Sequence, residues 1–205
     1  AAGGSMGGHL CLEWARRSGV KKAFITAGCL AHSAMQIGLN EAARQAIMRD
    51  PKWRGGDYGD DPPRNGLSVA RMIGHISYLS EASFTSKFGR GLQDMKAQFQ
   101  VESYLNYQGD KFTTRFEPNS LLVLTRAIDD YECSSLQGTT TEFLVTSYTS
   151  DWLYTPSQGL CIHEMAISAG AKSRFELIDL PYGHDSFLLD GEIQGALARE
   201  FLSGP

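Results

Sequence analysis

Long apolar runs are missing from this sequence. No segment approaches the roughly 20 consecutive apolar residues that a membrane span requires, and no basic-then-apolar leader is visible. Blocks of like charge are also missing. With a formal net charge of -4 and no basic patch, neither nucleic acid nor an anionic membrane is expected as a main partner. Cysteine is sparse: Cys11, Cys29, Cys133 and Cys161 lie far apart and form no Cys-x-x-Cys pair, so they read as buried thiols and not as a zinc site or disulfide framework. The 5 histidines show no metal-ligand spacing, and neither a metal nor a permanently bound cofactor is expected. What remains is 205 residues, 42% of them hydrophobic, which is enough for a real core in a soluble, cytoplasmic protein.

What is present begins with glycine. Gly3-Gly4-Ser5-Met6-Gly7 is a Gly-x-Ser-x-Gly run, the composition of a sharp strand-to-helix turn that holds a serine hydroxyl in the open at strained backbone angles. Taken alone, it reads as a flexible glycine-rich terminus or an expression scar sooner than as a nucleophile turn. Only Ala1 and Ala2 precede it, so the strand needed to hold such a turn is expected to be missing and the chain to be an N-terminally truncated fragment.

Helical spacing follows in GHLCLEWARR, stopped by Gly19, and then a short apolar strand over Ala23 to Ala27. Beyond it the pattern turns helical. NEAARQAIM has Asn40 as an N-cap with Glu41 in the first turn, and PKWRGGDYGDDPPRNG breaks the chain. LSVARMIGHISYLS, QFQVESYLNYQGDKFTTRF and PNSLLVLTRAIDDYE are further helices, the last with Leu121, Leu124, Ile128 and Tyr131 on one stripe. Strands return in EFLVTSYTSDW and RFELIDLPYGHDSF, separated by the helix QGLCIHEMAISAG and followed by a closing helix, GEIQGALAREFL.

Each returning strand ends in a polar residue, Asp151 and His184. Chemistry in open parallel α/β sheets sits at the carboxyl ends of strands, and Ser, Asp, His is the chain order in which α/β-hydrolases supply nucleophile, acid and base. The expected fold class is therefore α/β, the C-terminal portion of an α/β-hydrolase sheet with a helical lid insertion. Residues 1–28 would carry the elbow, its helix and a strand, 29–138 the lid, and 139–205 the acid and the base. Ser5, Asp151 and His184 would form the triad, with the Met6 N–H as one oxyanion donor.

The segments GGSMGG then LEW, ARMIGHISYLSEASFTSKFGR, VESYLNYQGDKFTTRFEPNSLLVLT, TSDWLYTP and YGHDSFLL resemble the homoserine O-acetyltransferase family, over nearly the whole chain. The resemblance implies an acyltransferase of methionine biosynthesis. Acetyl-CoA, a co-substrate, acylates the serine, CoA leaves, and the L-homoserine hydroxyl takes the acetyl group by a ping-pong route. It also implies that an N-terminal half with the second oxyanion donor is missing, so that the chain alone is inactive, and that lid helices form a homodimer.

By position, the resemblance makes Ser5, Asp151 and His184 catalytic and Arg71, Tyr78 and Asp185 substrate-binding. Arg71 and Tyr78 lie two turns apart on one helix face with His75 between them, Arg71 suited to the substrate carboxylate and Asp185 to its ammonium. Two residues after the triad Asp, where members that use succinyl-CoA tend to have Arg, stands Leu153, which offers nothing to a carboxylate and so favours acetyl. His9, Cys11 and the Ala31-His32 pair depart from the family pattern. A serine O-acyltransferase of the same family and an α/β-hydrolase esterase remain alternatives.

Overall fold

The computed structural model describes residues 1–17, 19–93 and 98–204; positions 18, 94–97 and 205, one group in each of the three expected segments, lie outside the described residues. In chain order the elements are β1 (Ala2–Gly4), α1 (Met6–Arg17), β2 (Lys22–Thr26), α2 (Ala34–Met48), α3 (Arg64–Tyr78), α4 (Glu81–Lys87), α5 (Gln100–Thr113) and α6 (Pro118–Asp129). Then come β3 (Glu142–Tyr148), α7 (Pro156–Ser168), β4 (Ser173–Ile178), α8 (Ser186–Leu189) and α9 (Gly191–Ser203). They form two compact units, residues 1–31 with 131–205, and residues 32–130.

The first unit is built on a parallel sheet of order β1-β2-β3-β4. Phe24 pairs with Ala2 on one side and Leu144 on the other, and Val145 pairs with Phe175. A parallel strand is buried on both faces and needs a crossover to reach its neighbour. β3 is accordingly buried at every residue after Glu142, and α1 and α7 are the crossovers within the unit. Phe143 and Val145 pack with Leu12, Ile25, Ile162 and Ala166 on one side, while Tyr148 joins Ala27 and Ile178 in a second cluster. Each fully buried aliphatic or aromatic side chain contributes roughly 1.5–3 kcal/mol. Helix α7 starts earlier than its apolar spacing indicates, because Thr155 and Gln158 form a capping box around Pro156.

Three expectations are corrected in this unit. The strand thought to be missing before the serine is present in short form, since three residues suffice to pair β1 with β2. Residues 131–138 pack with the sheet and not with the insertion: the Cys133 N–H donates to the Leu30 carbonyl at 2.8 Å, and Cys133 and Leu136 are both core residues. Tyr131 lies beyond α6 and stacks on the His9 ring at 4.5 Å.

The second unit is helical. Ala43, Ile47, Leu67, Ala70 and Phe112 make its core, with Trp53, Ile73, Phe116, Leu121 and Leu122 against them. Leu124, expected on the buried stripe of α6, is 41% exposed, because the helix turns its Leu121–Leu122 side inward. The N-cap of helix α2 is Ser33, seven residues before the expected Asn40, and its side chain and Gln36 complete a capping box. Asn40 instead reaches across to Asp129.

Asp129 holds the two ends of this unit together. Its carboxylate accepts from Asn40 Nδ2 at 2.7 Å and Arg44 Nη1 at 2.6 Å, and faces His32 Nδ1 at 2.9 Å. These hydrogen bonds and the Arg44 charge outweigh burial and hold its pKa below the ordinary value. Asp129→Asn leaves the buried Arg44 with only Glu41 as anion, and an expected loss of about 3–5 kcal/mol follows, read as a lower urea midpoint at neutral pH. Because the carboxylate pKa is depressed on folding, the wild-type advantage is present at neutral pH and disappears as pH falls through the folded-state value.

Candidate active site

Ser5 sits between β1 and α1 with φ 54°, a left-handed conformation that costs a non-glycine residue about 1–2 kcal/mol. Its N–H is shared by the Thr26 and Ala27 carbonyls at 3.1 and 3.2 Å, and its own carbonyl accepts the Gly8 N–H at 2.8 Å, so β2 and α1 together hold the turn. The glycines before the serine are a matter of space. A Cβ on Gly3 would lie 2.3 Å from the Gly7 carbonyl oxygen, and one on Gly4 would lie 2.6 Å from the Phe187 ring. Gly7 has open space where its Cβ would be. The steric demand therefore falls on Gly3 and Gly4.

Asp151 lies three residues past the end of β3, and His184 lies in the 3-10 turn Gly183–Asp185 after β4. His184 Nδ1 is 2.7 Å from Asp151 Oδ2, with both side chains buried. The other carboxylate oxygen, Oδ1, accepts from the backbone N–H groups of Leu153 at 3.0 Å and Tyr154 at 2.8 Å. The Ser150 hydroxyl braces the His184 turn by accepting the Gly183 N–H at 2.9 Å. The Tyr154 ring stacks on the imidazole at 4.6 Å and Phe187 meets it edge-on at 5.2 Å. Since Phe187 also fills the space beside Gly4, one side chain borders both the serine turn and the histidine. All three polar residues stand at the carboxyl ends of parallel strands. Asp185 is half-buried in the same turn as His184.

In the second unit, α3 carries Arg71, His75 and Tyr78. The Arg71 guanidinium lies over the Phe112 ring at 4.7 Å and the Tyr78 ring at 5.8 Å. His75 is 8% exposed, and its Nδ1 is 3.1 Å from the Tyr104 hydroxyl. Burial first, then the positive charges of Arg71, Lys87 and Arg115, push its imidazole down from 6.5 to about 4. Unfolding returns the ring to water, so between those values the unfolded chain binds the extra proton. Stability is expected to fall as pH drops from 6.5 towards 4, by on the order of 3 kcal/mol. Urea denaturation across that window should show the slope, and His75→Gln should flatten it.

A scan of protein-family models finds no match. Among curated proteins, the homoserine O-acetyltransferase of Zymomonas mobilis subsp. mobilis is 45% identical over 222 residues, covering 98% of this chain and 60% of that protein. The chain is a homologue of the homoserine O-acetyltransferases. It spans 60% of that relative and 57% of the one from Rhodospirillum rubrum, which is 44% identical. The crystal structure of homoserine O-acetyltransferase from Bacillus anthracis matches 99% of this chain with a TM-score of 0.90 at 19% identity, covering 59% of that structure. MGS-M2, an α/β-hydrolase enzyme from a deep-sea metagenome, matches with a TM-score of 0.71 at 16% identity, covering 100% of this chain and 64% of that structure. The fold is that of the α/β-hydrolases.

The positions that depart from the homoserine O-acetyltransferase pattern are tied into the packing of each unit. His9 is buried, with Nε2 3.3 Å from Cys29 Sγ and its ring on Tyr131. Cys11 is a core residue of the first unit. His32 faces Asp129 in the second. Leu153, which is the acyl-donor position and not one of these departures, is buried, and its N–H donates to Asp151. Tyr154 and Phe187 escaped the sequence reading: Phe187, three residues after His184, turns its ring back onto that imidazole, and Tyr154, three residues after Asp151, gives Asp151 its N–H while its ring lies on His184. Among the described residues, no helix is long and apolar enough to cross a membrane.

Proposed function

We propose that the full-length protein carrying this chain is a homoserine O-acetyltransferase of methionine biosynthesis. The observation that carries the reading is the buried 2.7 Å Asp151–His184 pair, beyond the same sheet edge as a serine held at φ 54°. An ionised carboxylate only accepts, so Asp151 takes the Nδ1–H and leaves the Nε2 lone pair as the ring's proton acceptor. In this reading His184 Nε2 removes the Ser5 proton as Oγ attacks the acetyl thioester carbon. The C–S bond then breaks, CoA leaves with that proton, and the acetyl ester remains on Ser5. Homoserine next gives its hydroxyl proton to His184 as its oxygen attacks the acetyl carbon, and the bond from that carbon to Ser5 Oγ breaks as His184 returns the proton to Oγ, restoring Ser5.

The Met6 N–H, at the first turn of α1 where helix geometry supplies no intrahelical acceptor, is assigned to the oxyanion. Arg71 and Tyr78 are assigned to the acceptor's carboxylate and Asp185 to its ammonium. Leu153 disfavours a donor with a second carboxylate, which supports acetyl-CoA. The protein would work in the cytoplasm as a homodimer through the insertion helices, whose exposed Val69, Ile76, Tyr107 and Val123 supply apolar surface.

CoA release from acetyl-CoA, with homoserine, with serine or with no acceptor, tests the assignment. Homoserine-dependent release is expected. Continued release that needs serine would make the protein a serine acyltransferase, and release that continues beyond one CoA per Ser5 without any acceptor would make it an esterase.

A further inference from the structure

Two buried polar atoms on α3 have no hydrogen-bond partner among the described residues, Arg71 Nε and His75 Nε2. They belong to side chains one helical turn apart, and both side chains lie against Tyr78. Tyr104 stands edge-on to the imidazole at 5.6 Å, and Phe112 borders the guanidinium. Burying a donor without a partner is unfavourable, and two such donors one turn apart beside aromatic rings are an arrangement that a bound acceptor group would satisfy.

The chemistry of that ligand follows from the protons. With Arg71, Lys87 and Arg115 around it, the ring is neutral at physiological pH and carries a single proton. A phenol is a better donor than acceptor, so the Tyr104 hydroxyl donates to Nδ1 and the proton stays on Nε2. The unit thus presents two N–H donors, one cationic and one neutral, neither with an acceptor among the described residues. We propose that His75 Nε2–H joins Arg71, already assigned to the acceptor's carboxylate, in holding that group, and that His75 is a specificity-determining residue for carboxylate-bearing acceptors. The identity of the ligand as the acceptor rests on the transferase reading.

Long-range ¹H–¹⁵N spectra of the imidazoles in the full-length protein test the proposal. His75 is expected as the neutral Nε2–H tautomer, with a saturable Nε2 shift on adding L-homoserine and none on adding 3-aminopropan-1-ol, which lacks only the carboxylate. A proton on Nδ1, or equal responses to the two compounds, would overturn it. Binding needs no acetyl transfer, so a protein that shows the shift but releases no CoA would refute the transferase and leave the carboxylate site standing. In turnover, His75→Leu should raise the homoserine KM about 10–100-fold, the worth of a hydrogen bond to a charged group, and shrink the preference for homoserine over 3-aminopropan-1-ol by the same factor. His75→Gln keeps an N–H donor and should recover part of the loss. Equal KM increases for both acceptors would show a merely structural role.

Discussion

Ser5→Ala is expected to lower homoserine-dependent CoA release in the full-length protein by roughly four to six orders of magnitude. The size follows from the role: without Oγ there is no acyl-enzyme, and only binding and oxyanion stabilisation remain. The fold should survive. The turn is held by the Ser5 N–H on the Thr26 and Ala27 carbonyls and by the Gly8 N–H on the Ser5 carbonyl, all backbone bonds that alanine keeps. Circular dichroism and the urea midpoint should therefore stay close to wild type while thiol release vanishes. Retained activity in a folded Ser5→Ala protein would remove the serine from the mechanism.

Asp151→Asn should cost about 10⁴ in kcat/KM through a change of tautomer. The carboxylate faces three donors: the Leu153 and Tyr154 N–H groups on one oxygen and His184 Nδ1 on the other. An amide has one oxygen, and two fixed backbone donors claim it. Its NH₂ then points at Nδ1, so the ring must accept there and carry its proton on Nε2, where it can no longer take one from Ser5. Asp151→Ala leaves three buried donors unmatched and should lower stability as well, by about 1–3 kcal/mol for each unpaired group. Kinetics with the imidazole ¹⁵N spectrum separate these outcomes. An Asp151→Asn protein with wild-type kcat/KM would contradict the assignment.

Sequence patterns carry the parts of this fold that depend on local periodicity. The continuous apolar run of β3, the Ser, Asp, His order and the helical insertion all follow from short-range signals and the rule that parallel sheets place chemistry at strand ends. Parts settled by distant residues were not legible. Asn40 followed by Glu41 is a sound local cap, but Asn40 is spent on Asp129, 89 positions away, and Ser33 caps the helix instead. Residues 131–138 look like more insertion until Cys133 is seen bonded to Leu30. β1 is too short to register as a strand without β2 beside it. Tyr154 and Phe187 carry no motif, because stacking on a histidine leaves no sequence signature. Arg71 on an amphipathic helix would pass for surface, and only family likeness singled it out before its buried Nε was known.

Peptide mass mapping of the full-length protein, mixed with acetyl-CoA in the absence of acceptor, tests the central claim most directly. One acetyl group is expected on the peptide containing Ser5, stable in buffer and discharged when L-homoserine is added. An unmodified Ser5 peptide while acetylhomoserine accumulates, or an acetyl group that homoserine does not remove, would contradict it.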